Sequence, residues 1–486
     1  MTAYLVYTPE ILIMISALLA LLFDVLDSKK LAGGIAIILN LVALVIILGW
    51  SGITGSILSL PQSGGHGLFY FSLFGYMFQI IFIIVTVSVE LTTLDFSEYN
   101  GIFYALIEFA LTGMMIVAIS GDMVILILGL ELAGISTYIL TGYIRKSELS
   151  VEAAMKYYII GSISSSLTIF GLSILYGVTG TTSLWLLNLH AGYSYIPKNN
   201  PLLYLGFSFI IAGLGFKIAM APFHMWAPDV YQGAPSPVSA FLAAGSKTMG
   251  FMAMFIIFLS AIFYFAPNLS LLFGFFAILT ITTGNILAIK QRNIKRMLAY
   301  SSIANAGYIL IAFSVDTPLA VAGGMFQIFS HAIMKVGAFI VVAVVSVFGV
   351  GESITDYKGL AKEHSLLALS FAIMLLSLAG VPPLMGFMSK FVLFSGAVQA
   401  GGWYILLAIA GVLNSALSLY YYARIVKYMY IDNPEPGKHK NKKISMPIYS
   451  YISIFILIVI IVAVGIYPSP IIGYFIHIAS QYMVWR

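Results

Sequence analysis

The chain is 486 residues long, 61% hydrophobic and only 8% charged, with a net charge of +5 and a mean hydropathy of +1.02. A soluble domain carries about 25% charged residues, so these values exclude a water-facing surface over most of the chain. The lack of cysteine excludes disulfides, cysteine-ligated zinc and iron–sulfur clusters bound by this chain.

The apolar runs are continuous rather than alternating with period two, which points to membrane-spanning helices and not to barrel strands. At roughly 20 residues per crossing, the sequence predicts about fourteen spans. They are 4–24, 31–49, 70–89, 101–119, 123–143, 153–177, 203–225, 236–262, 268–289, 295–314, 318–348, 365–397, 402–428 and 447–467. A further apolar stretch, 470–483, is short for a span and is expected to continue or cap the last one. No basic residue precedes Lys29, so span 1 lacks the basic leader of a signal peptide and is expected to be retained. Ser51–Gly67, Thr179–Pro201 and the Lys438–Lys443 run after Pro434 are expected to be loops.

Loop cations are distributed unevenly. Odd-numbered loops hold sixteen Lys and Arg residues, Lys295 and Arg296 among them, whereas even-numbered loops hold only Lys198. The positive-inside rule then places the odd loops in the cytoplasm and both termini outside. These cations sit in short loops between spans, which argues against a nucleic-acid partner.

Five lysines fall inside spans: Lys156, Lys217, Lys247, Lys335 and Lys390. Ionisable groups at membrane depth are costly and mark functional sites by default. Lys247 lies about 16 Å into span 8 and Glu131 about 12 Å into span 5, at 1.5 Å per residue. Lys217 precedes Pro222 and Lys390 follows Pro382 and Pro383, so both flank expected breaks in spans 7 and 12. Broken backbone is tolerated at that depth where it lines a cavity or packs on protein. Lys156 lies near the start of span 6 and is expected to snorkel. Glu108 in span 4 is deep but has no evident companion. Gln327, His331 and Lys335 recur every four residues and form one stripe on span 11, as Ser301, Asn305 and Tyr308 do on span 10. A histidine one turn from a buried lysine is placed to relay protons, since it titrates near neutrality. Ser162, Ser164, Ser165 and Ser166 of span 6 suit either a water chain or close helix packing, with packing slightly preferred.

At an offset of 170, Glu131 falls on Ser301, Tyr138-Ile-Leu on Tyr308-Ile-Leu, and Met155 on Met325. A repeat of five helices is odd, so the second copy must be inverted, as in many transporters. The expected organisation is N-terminal helices in 1–100, a first repeat in 101–262, an inverted second repeat in 263–428, and a basic linker with a C-terminal helix in 429–486.

The stretch from Ala221-Pro-Phe-His-Met-Trp-Ala-Pro-Asp-Val-Tyr-Gln-Gly-Ala-Pro to Gly245-Ser-Lys247 resembles the antiporter-like subunits of complex I. Its wording is closer to the N branch of that family than to the M and L branches or to Mrp-type cation/proton antiporters. Gly129-Leu-Glu-Leu, His331-Ala-Ile-Met-Lys335 and Gly380-Val-Pro-Pro-Leu-Met-Gly-Phe are similar to the family as well, and the resemblance covers nearly the whole chain. It implies a proton-translocating membrane subunit of an NADH (or related donor):quinone oxidoreductase in a prokaryotic cell membrane. Glu131, Lys217, Lys247, His331, Lys335 and Lys390 would form the proton relay, with Glu131 pairing Lys217 and Lys390 leading to the exit. It also implies no cofactor or metal in this chain, with quinone and redox centres in partner subunits, and M/L and small helical subunits as neighbours. Ser301 departs from the pattern, because the second repeat has no carboxylate there, and Glu108 has no place in it. The alternatives are an Mrp-type Na⁺/H⁺ antiporter subunit, and the membrane subunit of a related hydrogenase or F420H2 dehydrogenase.

Overall fold

A computed structural model of the protein describes residues 6–50, 67–184, 186–187, 200–262, 269–433 and 447–484. Lys198, the Lys438–Lys443 run and most of the two long loops lie outside the described residues. What is described is almost entirely helical. Twelve helices among the described residues are long and apolar enough to cross a membrane, and Pro201–Lys217 and Ser365–Ala379 are shorter apolar helices. The protein is a polytopic all-α membrane protein.

The described residues divide into two compact units. The first comprises Met1–Ile218 with Gly245–Pro267 and Gln481–Arg486. It contains α1 (Thr8–Val25), α2 (Lys29–Trp50), α3 (Leu73–Leu94), α4 (Gly101–Ala118), α5 (Met123–Thr141), α6 (Glu148–Thr179) and α7 (Pro201–Lys217). The second comprises Ala219–Ala244 and Asn268–Ser480. It begins with α8 (Trp226–Gly233) and α9 (Ser236–Phe241), after which the chain returns to the first unit for α10 (Lys247–Met254). It continues with α11 (Leu269–Ile289), α12 (Ile294–Val315), α13 (Pro318–Val347), α14 (Ser365–Ala379), α15 (Met385–Ala400), α16 (Tyr404–Tyr430), α17 (Ile448–Ile466) and α18 (Ser469–Val484).

Local chemistry sets many of the helix ends. Ser72, Asn100, Asp122, Ser147, Asn200, Asn293 and Thr317 each accept a first-turn backbone N–H through the side chain, satisfying donors that a helix start leaves bare. Gly180 and Gly380 end α6 and α14 in the left-handed region that glycine enters without penalty. In the first unit α1 packs on α2 and α4, and α4, α5, α6 and α7 follow in sequential pairs. A Cβ on Gly113 would lie 2.6 Å from the backbone of Gly129 and Ala133, so α4 and α5 meet backbone to backbone. In the second unit α13 is the central helix, packed on α9, α12, α14, α15 and α17 and buried along nearly all its length.

Spans 7 and 12 are broken as expected, while span 8 and the 470–483 stretch take forms that the sequence did not specify. Span 7 stops at Lys217; Ala219 takes a left-handed conformation and Pro222 follows, so the helix resumes only at Trp226, beyond the expected end. Span 12 stops at Ala379 and restarts at Met385, with Pro382 and Pro383 lacking the N–H groups that would continue it. Span 8 contains two π-helical stretches, Leu242–Ser246 and Phe255–Ile262, on either side of α10. The 470–483 stretch is a helix of its own, α18, begun after Pro468. Ala219–Ala244 belongs to the second compact unit.

Candidate proton-relay site

The first unit brings together Glu131, Lys217 and Lys247. Lys217 is the last residue of α7, 5% exposed, and its Nζ makes no hydrogen bond to the described residues. Glu131, half-buried on α5, lines one cavity with Lys217, Ser165 and Thr168, with room for about one water molecule. The expected Glu131–Lys217 contact is therefore a shared cavity rather than a closed ion pair. Ser165 Oγ and Tyr138 Oη, both buried, also make no hydrogen bond there, and Lys217 Nζ stands 5.8 Å from the centre of the Tyr138 ring. A Cβ on Gly134 would come within 3.1 Å of Lys217 Nζ, so the absence of a side chain at 134 makes space for the ammonium.

Lys247 opens α10 directly after the first π stretch and is 1% exposed. Gly250, one turn further, would place a Cβ 3.1 Å from Lys217 Cβ. The two lysines thus lie on helices in direct contact. Wide turns of this type are frequent where a helix must re-aim a side chain at a functional position.

In the second unit, Lys335, Lys390 and His331 belong to one hydrogen-bonded core. Lys335 is fully buried and donates to Leu298 O at 2.7 Å and to Ser301 Oγ. Asn305 Nδ2 donates to Ser301 O at 2.8 Å, Gln327 Nε2 to Asn305 Oδ1 at 2.9 Å, and Ser389 Oγ to Gln327 Oε1 at 2.7 Å. Polar atoms therefore run from Lys335 to the residue beside Lys390. His331 Nε2 lies 3.1 Å from Ser302 Oγ on α12. Lys390 donates to Leu378 O at 3.0 Å, Ala379 O at 3.1 Å and Ser415 Oγ at 3.0 Å. The first two are carbonyls at the end of α14, left open by the break. Its Nζ lies 4.8 Å from the centre of the Tyr308 ring. Lys-over-Tyr thus occurs in both units, on the two tyrosines that the 170-residue offset superimposes. Lys390 also borders an apolar cleft lined by Phe387, Phe391, Phe394 and Val412.

Some expectations take a different form. Lys156 pairs with Glu152 at 2.7 Å on an exposed face, its side chain 42% exposed. The span 6 serines divide: Ser164 donates to Gly213 O at 2.7 Å and packs α6 on α7, while Ser165 lines the Lys217 cavity. Glu108 does have companions, Asn40 and Glu90. Lys295, expected in solvent, is 3% exposed and donates to Ala234 O and Glu352 Oε1, both at 2.9 Å. Beside it Arg296 binds Asp229 at 2.6 Å, tying the Asp-Val-Tyr-Gln stretch to α12.

Residues 120–418 match the model of the family described as "NADH:quinone oxidoreductase/Mrp antiporter, TM". The chain belongs to this family. It is 42% identical over 445 residues to NADH-quinone oxidoreductase subunit N of Trichlorobacter lovleyi, spanning 90% of this chain and 88% of the relative. It is 43% identical over 407 residues to F(420)H(2) dehydrogenase subunit N of Methanosarcina mazei, spanning 81% of each. A chain of respiratory complex I from Thermus thermophilus superimposes with a TM-score of 0.78 at 25% identity, over 96% of this chain and 98% of that one. A chain of the Mrp complex from Dietzia superimposes with a TM-score of 0.86 at 18% identity, over 98% of this chain and 97% of that one, a likeness of fold alone. All six expected relay residues and both broken helices lie within the family match.

Proposed function

We propose that the chain is the proton-translocating membrane subunit of a complex I-type oxidoreductase, in which quinone reduction elsewhere drives protons through buried lysines. The observation that carries this reading is the cavity shared by Glu131 and Lys217, where the buried Lys217 Nζ makes no hydrogen bond to the described residues. A water in that cavity would couple the two groups, and a small shift of α5 against α7 would close or open the contact. At an effective dielectric of about 20, two unit charges about 4 Å apart attract by about 4 kcal/mol. Moving one charge against about 200 mV requires about 4.6 kcal/mol. One contact made and broken therefore matches the work of one proton.

In this reading Lys217 passes its proton toward Lys247, and Lys335 and Lys390 serve the second unit through Ser301, Asn305, Gln327 and Ser389. His331 adjusts the proton affinity of that chain from one turn away. Electron donor, quinone and redox cofactors belong to partner subunits, which would include M/L-type antiporter-like subunits and small helical ones. The chain would sit in a prokaryotic cell membrane with both termini outside. The M. mazei relative gives the F420H2-linked version of the same role a specific footing; the subunits that co-purify with the chain decide between donors.

The test is Lys217→Ala in the complex reconstituted in liposomes. Proton pumping should be lost while electron transfer from the donor to an artificial acceptor continues. Pumping at the wild-type level would sink the assignment.

A further inference from the structure

Ahead of the family match, α1 to α4 enclose a second group of ionisable side chains. Glu90 on α3 and Glu108 on α4 are both fully buried, and Asn40 on α2 sits between them. Asn40 Nδ2 donates to Glu90 Oε2 at 3.0 Å and to Glu108 Oε1 at 2.7 Å. The remaining oxygens, Glu90 Oε1, Glu108 Oε2 and Asn40 Oδ1, make no hydrogen bond to the described residues. Ser16 on α1, 1% exposed, turns its hydroxyl toward the Glu108 carboxyl. Tyr104, one turn from Glu108 on α4, is the other titratable group facing the pair among the described residues. Neither carboxyl is paired with a cation among the described residues.

Two carboxylates this close in a buried site do not both carry charge, because burial penalises each ion and like charges add to that. Bound protons or a metal cation would resolve the conflict. A cation shared by both carboxylates would have to sit between them, and that space is filled by an amide that points N–H groups at both. The unpartnered oxygens around Ser16 are left to hold a proton.

We propose that Glu90 and Glu108, bridged by Asn40, share a single proton and form a proton-binding site in the N-terminal helices, outside the relay of buried lysines. The shared proton leaves one negative charge on the pair, stabilised by the two amide hydrogens. The helix that begins at Lys247 packs on both α3 and α4. Gain or loss of that proton therefore changes the charge beside the Lys247 helix, and the pair acts as a reservoir next to the path rather than a step in it.

The test is infrared difference spectroscopy of the purified complex between neutral and alkaline buffer, in H2O and D2O. A deuterium-sensitive carboxylic-acid C=O band is expected in the wild type. It should be lost in Glu90→Gln and in Glu108→Gln alike, with no further loss in the double variant. An acid band that survives both substitutions overturns the proposal, as does one that disappears when sodium is added at constant pH. Asn40→Ala keeps both acids and serves where a glutamine variant does not assemble. It should shift the band by removing the polarising amide, and an unshifted band also overturns the site. The band reports a bound proton whether or not the complex pumps, so this result is separable from that of Lys217→Ala.

Discussion

Lys390 donates to the two carbonyls that the break after Ala379 exposes and lies over the ring of Tyr308, so its charge is held by backbone and an aromatic face together. Lys217 makes no hydrogen bond to the described residues and lies by the Tyr138 ring in the cavity it shares with Glu131. The two lysines are expected to respond differently to nearby changes. Replacing Gly134 by valine puts carbon where Lys217 Nζ sits, and pumping should fall at least roughly tenfold, about 1.4 kcal/mol of lost coupling. Gly177→Ala on α6, where an added Cβ meets nothing within 4 Å, should leave it unchanged; proton uptake by reconstituted vesicles compares the two. Tyr308→Phe keeps the ring beneath Lys390, whereas Tyr308→Leu removes an attraction of about 0.5–2 kcal/mol. The leucine variant should pump more weakly than the phenylalanine variant in the same assay.

At the scale of helices, the second unit is held by polar contacts that cross α12, α13 and α15. Gln327 is their midpoint, bonded to Asn305 and to Ser389. Gln327→Leu leaves the buried Asn305 amide oxygen unmatched and Ser389 with only its longer bond to Gly386 O at 3.2 Å, at a cost of about 1–3 kcal/mol for the group left unpaired. The expected outcome is a lower thermal midpoint for the complex together with weaker pumping; an unaltered midpoint would contradict the network. The stripe of Gln327, His331 and Lys335 was legible in the sequence because a four-residue recurrence of polar groups in an apolar run has few other meanings. Ser389 and Ser415 were not, since one small polar residue in an apolar helix is compatible with simple packing. The π stretches around Lys247 left no trace either, because nearly every residue from Leu242 to Ile262 is apolar or small and no face is marked. Glu108 looked solitary for another reason: Asn40 lies 68 residues away in the chain, and no local pattern connects them.

For the molecule as a whole, composition alone fixed the class, and the proline-flanked lysines marked where the two broken spans would be. The exact breaks followed from Ala219 and Gly380, whose left-handed backbones are set by the fold around them. Lys295 illustrates the opposite case, a loop cation by sequence that the folded chain buries against Ala234 O and Glu352. Each unit carries a buried lysine over a tyrosine beside a broken helix, and in the proposed function these groups carry the work of proton transfer. That function requires Glu131 and Lys217 to act as one unit. The direct measurement is protons translocated per two electrons by the reconstituted complex with Glu131→Ala, Lys217→Ala and both together. Groups that work as a unit give non-additive losses, so each single variant is predicted to lose as much of the ratio as the double. Independent losses that add in the double variant, or a wild-type ratio in Lys217→Ala, would contradict it.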